Sequence, residues 1–282
     1  MKTDDTIKIA ILDMYDNWAN EGMRCIKQIV TRFLEQDGLE GSYEIFNVRA
    51  NNEIPDVGAF DIFISSGGPG SPLPANTPWE RDYFAFVDAL FVYNRKPKNV
   101  RKKFMFLICH SFQMACNHFG LGKITKRKSA SFGIQPVHKT KAGMSDDLFR
   151  QLPDPFYVVE SRDWQIVQPN LHVFKEKGAE ILALEKIRTH VEYERAIMAV
   201  RFSEEMVGTQ FHPEADPDGM MVHFTKEENR DKVVLNYGIA KYDSMMSQLE
   251  EEDKIALTYK TILPNFIGNA IKRINSHAYS IV

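Results

Sequence analysis

Three short segments of this chain carry residue types that could do chemistry together. Cys109 closes the apolar run Lys103–Cys109 (KFMFLIC), and a helical pattern begins at Ser111. A thiol at a helix N-terminus feels the helix dipole, which favours thiolate. The end of a buried strand is also where open α/β sheets bind ligands. A strand–nucleophile–helix turn exposes its side chain, as in the elbow of hydrolases. A buried structural cysteine fits the same position, and Cys116, farther along the helix, is read that way. The second segment is Gln210-Phe211-His212-Pro213-Glu214. On an extended chain His212 and Glu214 point to one side, with Pro213 fixing the backbone between them. A carboxylate beside an imidazole can orient it and favour its protonated form; a structural histidine before proline is the alternative. The third is Gly67-Gly68-Pro69-Gly70, whose backbone N–H groups could approach an anion closely or simply make a tight loop. Ser66-Gly67-Gly68 also begins like a pyrophosphate-binding loop, but Gly70 stands where that pattern wants Asp.

These segments need a scaffold, and the hydrophobic pattern supplies one. Ile7–Leu12 reads as a first strand, Glu21–Leu34 as a helix with apolar residues at helical spacing, Tyr43–Val48 as a second strand and Phe60–Ser65 as a third. Strand, helix, strand at this spacing is a βαβ unit with a parallel sheet. A Pro/Gly-rich loop, Ser65–Pro78, leads to an aromatic-rich helix over Trp79–Val92. The strand ending at Cys109 is followed by a helix over Ser111–Phe119. Five β-like runs follow: SFGIQPV, FYVVES, EILALE, AIMAV and MVGTQF. From about Asp216 onward charged residues alternate with Met, Leu and Ile at helical spacing. This predicts two to four helices interrupted at Pro264, with Glu250–Asp253 a solvated helix start.

Composition narrows the function classes. Lys plus Arg number 35 against 38 Asp plus Glu, a net charge of −3 that argues against a dedicated nucleic-acid binder. With 44% hydrophobic residues the 282-residue chain can bury a sizeable core, which excludes wholesale disorder. No apolar run approaches the ~20 residues that span a bilayer, so no membrane partner is expected. The N-terminal MKTDDTIKIAILD is acidic before its apolar run and lacks a cleavage site, so it does not read as a secretory signal. Three cysteines cannot all pair, and a reducing cytoplasm is the natural compartment. Cys109, His110, Cys116 and His118 cluster in sequence, but their spacing fits no common zinc pattern, so no metal is assigned.

In combination, FDIFISSGGPGSP, LICHSFQMA and VGTQFHPEAD resemble the class I glutamine amidotransferase-like superfamily, in that family's order, over roughly residues 7 to 225. Within it the chain looks most similar to the amidotransferase portion of GMP synthetase. The resemblance implies an α/β fold: a flavodoxin-like, doubly wound, mostly parallel sheet with helices on both faces. Residues 1–225 would form the catalytic domain and 226–282 a helical C-terminal extension, which could cover that domain or form a homodimer interface. It implies Cys109, His212 and Glu214 as a catalytic triad, glutamine as the small-molecule substrate and no cofactor. Gly67 and Gly68, with the backbone at His110, would hold the oxyanion, and Gln113 matches the Gln of the nucleophile motif. No ATP-pyrophosphatase domain fits within 282 residues, so ammonia would pass to a separate synthase subunit or to water.

Two departures mark this chain. The family's nucleophile motif is Gly-x-Cys-x-Gly-x-Gln, and here Leu107 and Ser111 replace both glycines. Where many members carry Ser-His on a later strand, Ser161 is followed by Arg162, which could bind a substrate carboxylate or pair with Glu160 or Asp163 at the surface. ICHSFQMACNHFGLGK, Ser161-Arg162 and Arg230-Asp231 are also similar to homoserine O-acyltransferases of the succinyltransferase type. Those enzymes use the same Cys–His–Glu set on acyl-CoA. A non-catalytic binding protein of the same fold is the third possibility.

Overall fold

The computed structural model describes residues 6–35, 39–187 and 194–278. The first five residues of the N-terminal segment and the last four of the C-terminal helical region lie outside them. Five strands alternate with helices to build a parallel half-sheet. They are β1 (Ile7–Asp13), β2 (Gly41–Asn47), β3 (Ile62–Ser65), β4 (Phe104–Ile108) and β9 (Met206–Thr209). Four more strands, β5 (Lys123–Lys139), β6 (Phe156–Val167), β7 (Glu180–Glu185) and β8 (Ile197–Arg201), extend it with antiparallel pairing. The order is β2-β1-β3-β4-β9-β8-β7-β5-β6, so the sheet is mixed.

Strand side chains alternate between two buried faces, as pleating requires. Ile7, Ile9, Ile11, Ile64, Phe106 and Ile108 face one side, where α1 (Gly22–Leu34) packs with Met23, Ile26, Ile29 and Val30. Ala10, Leu12, Phe63, Met105 and Leu107 face the other, under α3 (Pro78–Arg95) and α4 (His110–His118). Two short helices, α2 (Val48–Asn51) before α3 and α5 (Lys141–Ser145) after β5, and α6 (Leu171–Lys177) after β6 complete this part. Helix α3 starts with Pro78 in its first turn, and the Glu80 carboxylate accepts from the backbone N–H groups of Ala75 and Thr77. Among the described residues no helix is long and apolar enough to cross a membrane.

The chain then continues through α7 (Pro217–Thr225), α8 (Glu227–Tyr237), α9 (Ile239–Leu249), a π-helical turn over Glu252–Ala256, and α10 (Leu257–Ala278). Helix α10 lies beside α1. Its Ile262, Leu263, Phe266, Ile267, Ala270 and Ile274 belong to the same apolar cluster as the central strands, and the Phe266 ring meets Phe106 edge-on.

Several elements differ from the sequence expectation. Pro264 does not interrupt the helix: α10 runs through it. Proline forgoes the bond to the carbonyl of Lys260 and sets its ring against that carbonyl, a cost that the buried apolar residues around it offset by holding the helix down. Strand β5 begins eight residues before SFGIQPV, and β6 runs on to Val167. The added stretch of β5, KITKRKSA, has almost no apolar alternation; Lys123–Lys126 are held extended by pairing with β6, and the ladder resumes at Ser131 after an irregularity.

Candidate active site

Cys109 sits between β4 and α4 with φ 49° and ψ −97°, a left-handed backbone that a non-glycine residue keeps only when its surroundings enforce it. The enforcement is visible. Its N–H donates to the Thr209 carbonyl of β9 at 2.8 Å, and its own carbonyl accepts from Gln113 N at 2.9 Å. Ser111, where the family motif has glycine, ties the turn from inside. Its hydroxyl accepts from Ile108 N at 2.9 Å and lies 3.0 Å from the carbonyl oxygens of Ser65 and Ile108.

Leu107, where the family motif has its other glycine, faces a glycine across the sheet. It is paired in register with Gly208 of β9. A Cβ on Gly208 would fall 2.8 Å from the Leu107 carbonyl, 2.9 Å from Leu107 Cβ and 2.9 Å from Phe112. Gly208 therefore lets β9 lie close against the Leu107 main chain and the Phe112 ring.

His212 follows β9 and is anchored by its own backbone: its N–H donates to the Val159 carbonyl of β6 at 3.0 Å. The ring and Cys109 lie together against Gly67, and the ring's Nδ1 is 2.8 Å from Glu214 Oε1. Glu214 is 1% exposed, and its Oε2 has no hydrogen-bond partner among the described residues. Burial alone would push the His212 imidazole down. The negative charges of Glu214 and Cys109, with the hydrogen bond to Glu214, overcome it and hold the ring well above the ordinary histidine range. That favours imidazolium beside the sulfur.

Loop residues close over this pair. A Cβ on Gly67 would meet His212 Cε1 at 2.9 Å, the Tyr15 hydroxyl at 3.2 Å and Cys109 Cβ at 3.6 Å, and one on Gly68 would run into the Met14 carbonyl. Only glycine lets the backbone approach this closely. Arg49 pins the loop by donating to the carbonyls of Pro69 at 2.6 Å and Met14 at 3.2 Å. His110, next to the sulfur-bearing residue, is buried, and burial followed by the charge of Arg49 pushes its imidazole down to about 3. It is neutral at physiological pH.

The structure thus gathers Cys109, His212, Glu214, Gly67, Gly68, His110 and Gln113. It treats Ser161 and Arg162 differently. Ser161 is exposed, on the opposite face of β6 from Arg162. Arg162 is 6% exposed, and its Nε lies 2.8 Å from Glu160 Oε2 and Nη2 3.3 Å from Glu185 Oε1. Arg127 meets the same Glu185 at 3.1 Å. The pairing with Glu160 is therefore buried, not at the surface, and the guanidinium is engaged by protein carboxylates. Two neighbours carried no mark in sequence. Tyr15, in the loop after β1, has its phenol pushed well above its ordinary range by burial, then by Glu214 and Cys109. Gln210, 1% exposed, places Nε2 3.7 Å from the Cys109 sulfur. Its position two residues before His212 was the available clue. Among the described residues no group of three or more His, Cys, Asp or Glu could hold a metal ion.

With this geometry in hand, comparisons place the chain. The family model for Glutamine amidotransferase class-I matches residues 24–229, well over half of it. No curated protein matches. Among solved structures, a glutamine amidotransferase from Thermotoga maritima superposes with a TM-score of 0.60 at 15% identity, covering 94% of this chain and 98% of that one. A glutamine amidotransferase from Methylobacillus flagellatus gives 0.58 at 12% identity, with 94% of each chain covered. The glutaminase domain of Trypanosoma brucei CTPS with bound acivicin gives 0.52 at 12% identity, covering 74% of this chain and 86% of that one. At these identities the likeness is one of fold.

Proposed function

The chain belongs to the class-I glutamine amidotransferase family, and on that premise we propose that it hydrolyses the side-chain amide of glutamine through Cys109, His212 and Glu214. The observation that carries this is the Cys109 elbow at φ 49°, with His212 and Cys109 together against Gly67 and the buried Glu214 2.8 Å behind the ring. The Cys109 thiolate attacks the carboxamide carbon, and the oxyanion is assigned to the backbone N–H groups of Gly68 and His110. His212 imidazolium gives its proton to the departing nitrogen, and ammonia leaves a thioester. Water, deprotonated by the now neutral His212, attacks the thioester, releasing glutamate and restoring Cys109. Glu214 keeps the ring in place and balances its charge through both steps.

Gln113 is the candidate contact for the substrate's amino-acid end, and Gly67 keeps the loop clear of the imidazole. The engagement of Arg162 by Glu160 and Glu185 leaves a substrate carboxylate to other donors. Ammonia would pass to a separate synthase subunit or small-molecule acceptor. Three unpaired cysteines support a reducing cytoplasm.

The test is intact-protein mass after exposure to a diazo-ketone glutamine analogue, on the native chain and on Cys109→Ala, beside glutamate release from glutamine. A single adduct on the native chain only, with glutamate formed, is expected. No adduct and no glutamate, with CoA released from succinyl-CoA in the presence of homoserine, would replace this function with acyl transfer.

A further inference from the structure

We propose that Gln210 is a further member of the reacting centre: its side-chain N–H donates to the Cys109 sulfur and holds the thiolate in place. The proposal rests on Cys109 being the nucleophile, and it adds a residue outside the triad and the loop. Gln210 Nε2 is 3.7 Å from Sγ, within hydrogen-bond range for sulfur, and both residues are buried.

Which end of the amide faces the sulfur is decided by a chain of donors with one consistent polarity. The Trp164 main-chain carbonyl can only accept. It accepts from Arg162 Nη1 at 3.2 Å and from Gln113 Nε2 at 3.1 Å. That fixes the Gln113 amide with its NH2 inward, and the remaining hydrogen reaches Gln210 Oε1 at 2.9 Å. Turning Gln210 over would set NH2 against NH2; turning Gln113 as well would set its oxygen against the Trp164 carbonyl. Gln210 therefore presents N–H to Cys109. An N–H aimed at sulfur favours the charged form over the neutral thiol. The main-chain N–H of Gln210 donates to the Met198 carbonyl at 2.8 Å, so the residue is held at both ends.

Arg162 acquires a role by the same route. Held by Glu160 and Glu185, it braces the Trp164 carbonyl and so sets the polarity of the relay. It is a positioning residue acting through Gln113 and Gln210. The titratable groups around the sulfur among the described residues are His212 with Glu214 behind it, Tyr15 from the β1 loop and, on its own helix, His110 with Arg49 beyond. None is altered by changing Gln210.

The experiment is the pH profile of Cys109 alkylation by iodoacetamide on the full chain, read by peptide mass; the thiolate displaces iodide and forms an S–C bond. Cys25 and Cys116 serve as internal references. Their thiols are pushed up by burial, Cys25 to about 12, and stay unmodified while the fold is intact. Gln210→Leu should move the profile's midpoint up by roughly one pH unit and leave the high-pH plateau rate within about twofold of native. Gln210→Glu keeps the shape but puts an acceptor toward the sulfur, and should move it further. If Gln210→Leu exposes Cys25 and Cys116, Gln210→Met, unbranched and of similar length but without the N–H, decides. A midpoint equal to native in a folded variant overturns the proposal while leaving Cys109 as nucleophile. Native protein whose Cys109 resists alkylation at every pH overturns both.

Discussion

Acidification from pH 7 to pH 5 is expected to remove about 2 kcal/mol of folding stability through His110 alone. In the unfolded chain this imidazole titrates at its ordinary 6.5, whereas in the native protein burial, then Arg49, pushes it down to about 3. Between those values the unfolded chain binds a proton that the native protein excludes, so stability falls as pH falls. The loss follows RT ln(1 + 10^(6.5 − pH)): about 0.2 kcal/mol at pH 7, about 2 at pH 5, and levelling off near pH 3. His212 works in the opposite sense, since its raised value adds stability at low pH that fades as pH climbs past it. Subtraction isolates His110, because a His110→Gln variant keeps every other titrating group. Urea unfolding at pH 7 and pH 5 gives the four stabilities needed. The native protein should lose about 2 kcal/mol more than the variant between the two conditions. Equal losses would mean that His110 takes up its proton in the folded state, and that the ring beside the nucleophile is not the neutral, sealed group described here.

Three further outcomes follow from the site. Gly67→Ala places a methyl 2.9 Å from His212 Cε1, so glutamate release should fall at least about a hundredfold while the melting temperature changes little; full activity would remove the close approach from the account. Glu214→Gln should lower glutamate release roughly a thousandfold and bring the His212 ring titration, followed by NMR, to lower pH, since Glu214 holds it up; an unshifted titration would contradict the assigned coupling. Gly208→Ala should destabilise by about 1–3 kcal/mol through contact with Leu107 and Phe112. Combining it with Phe112→Leu, which removes the ring atom the new methyl meets, should cost less than the two changes summed, and strict additivity in denaturant melts would show the two positions do not share space.

Much of this site could be read along the chain because its parts are local. Cys109 announces itself by ending an apolar run, and His212 and Glu214 by their two-residue spacing. What stayed hidden is set between strands. Gln210 meets Cys109 across 101 residues and Gln113 across 97, and no periodicity records such a meeting. Arg162 looked like a surface or substrate-facing cation because its partner Glu185 lies on another strand. The basic half of β5 lacked the alternation that marks strands, and pairing with β6 holds its Lys123–Lys126 extended. Pro264 signals a break only when nothing else holds a helix, and here the buried residues of α10 from Tyr259 to Ile274 hold it.

The pairing of Leu107 with Gly208 sets which of the two positions is free to vary. A side chain at 208 would meet the main-chain carbonyl of residue 107, which every amino acid carries, and the Phe112 ring. Position 208 is therefore closed to a side chain whatever stands opposite it, while position 107 accepts leucine. Latitude at this turn lies on the β4 side of the pair, next to the nucleophile, and the strand that leads to His212 is the one without it.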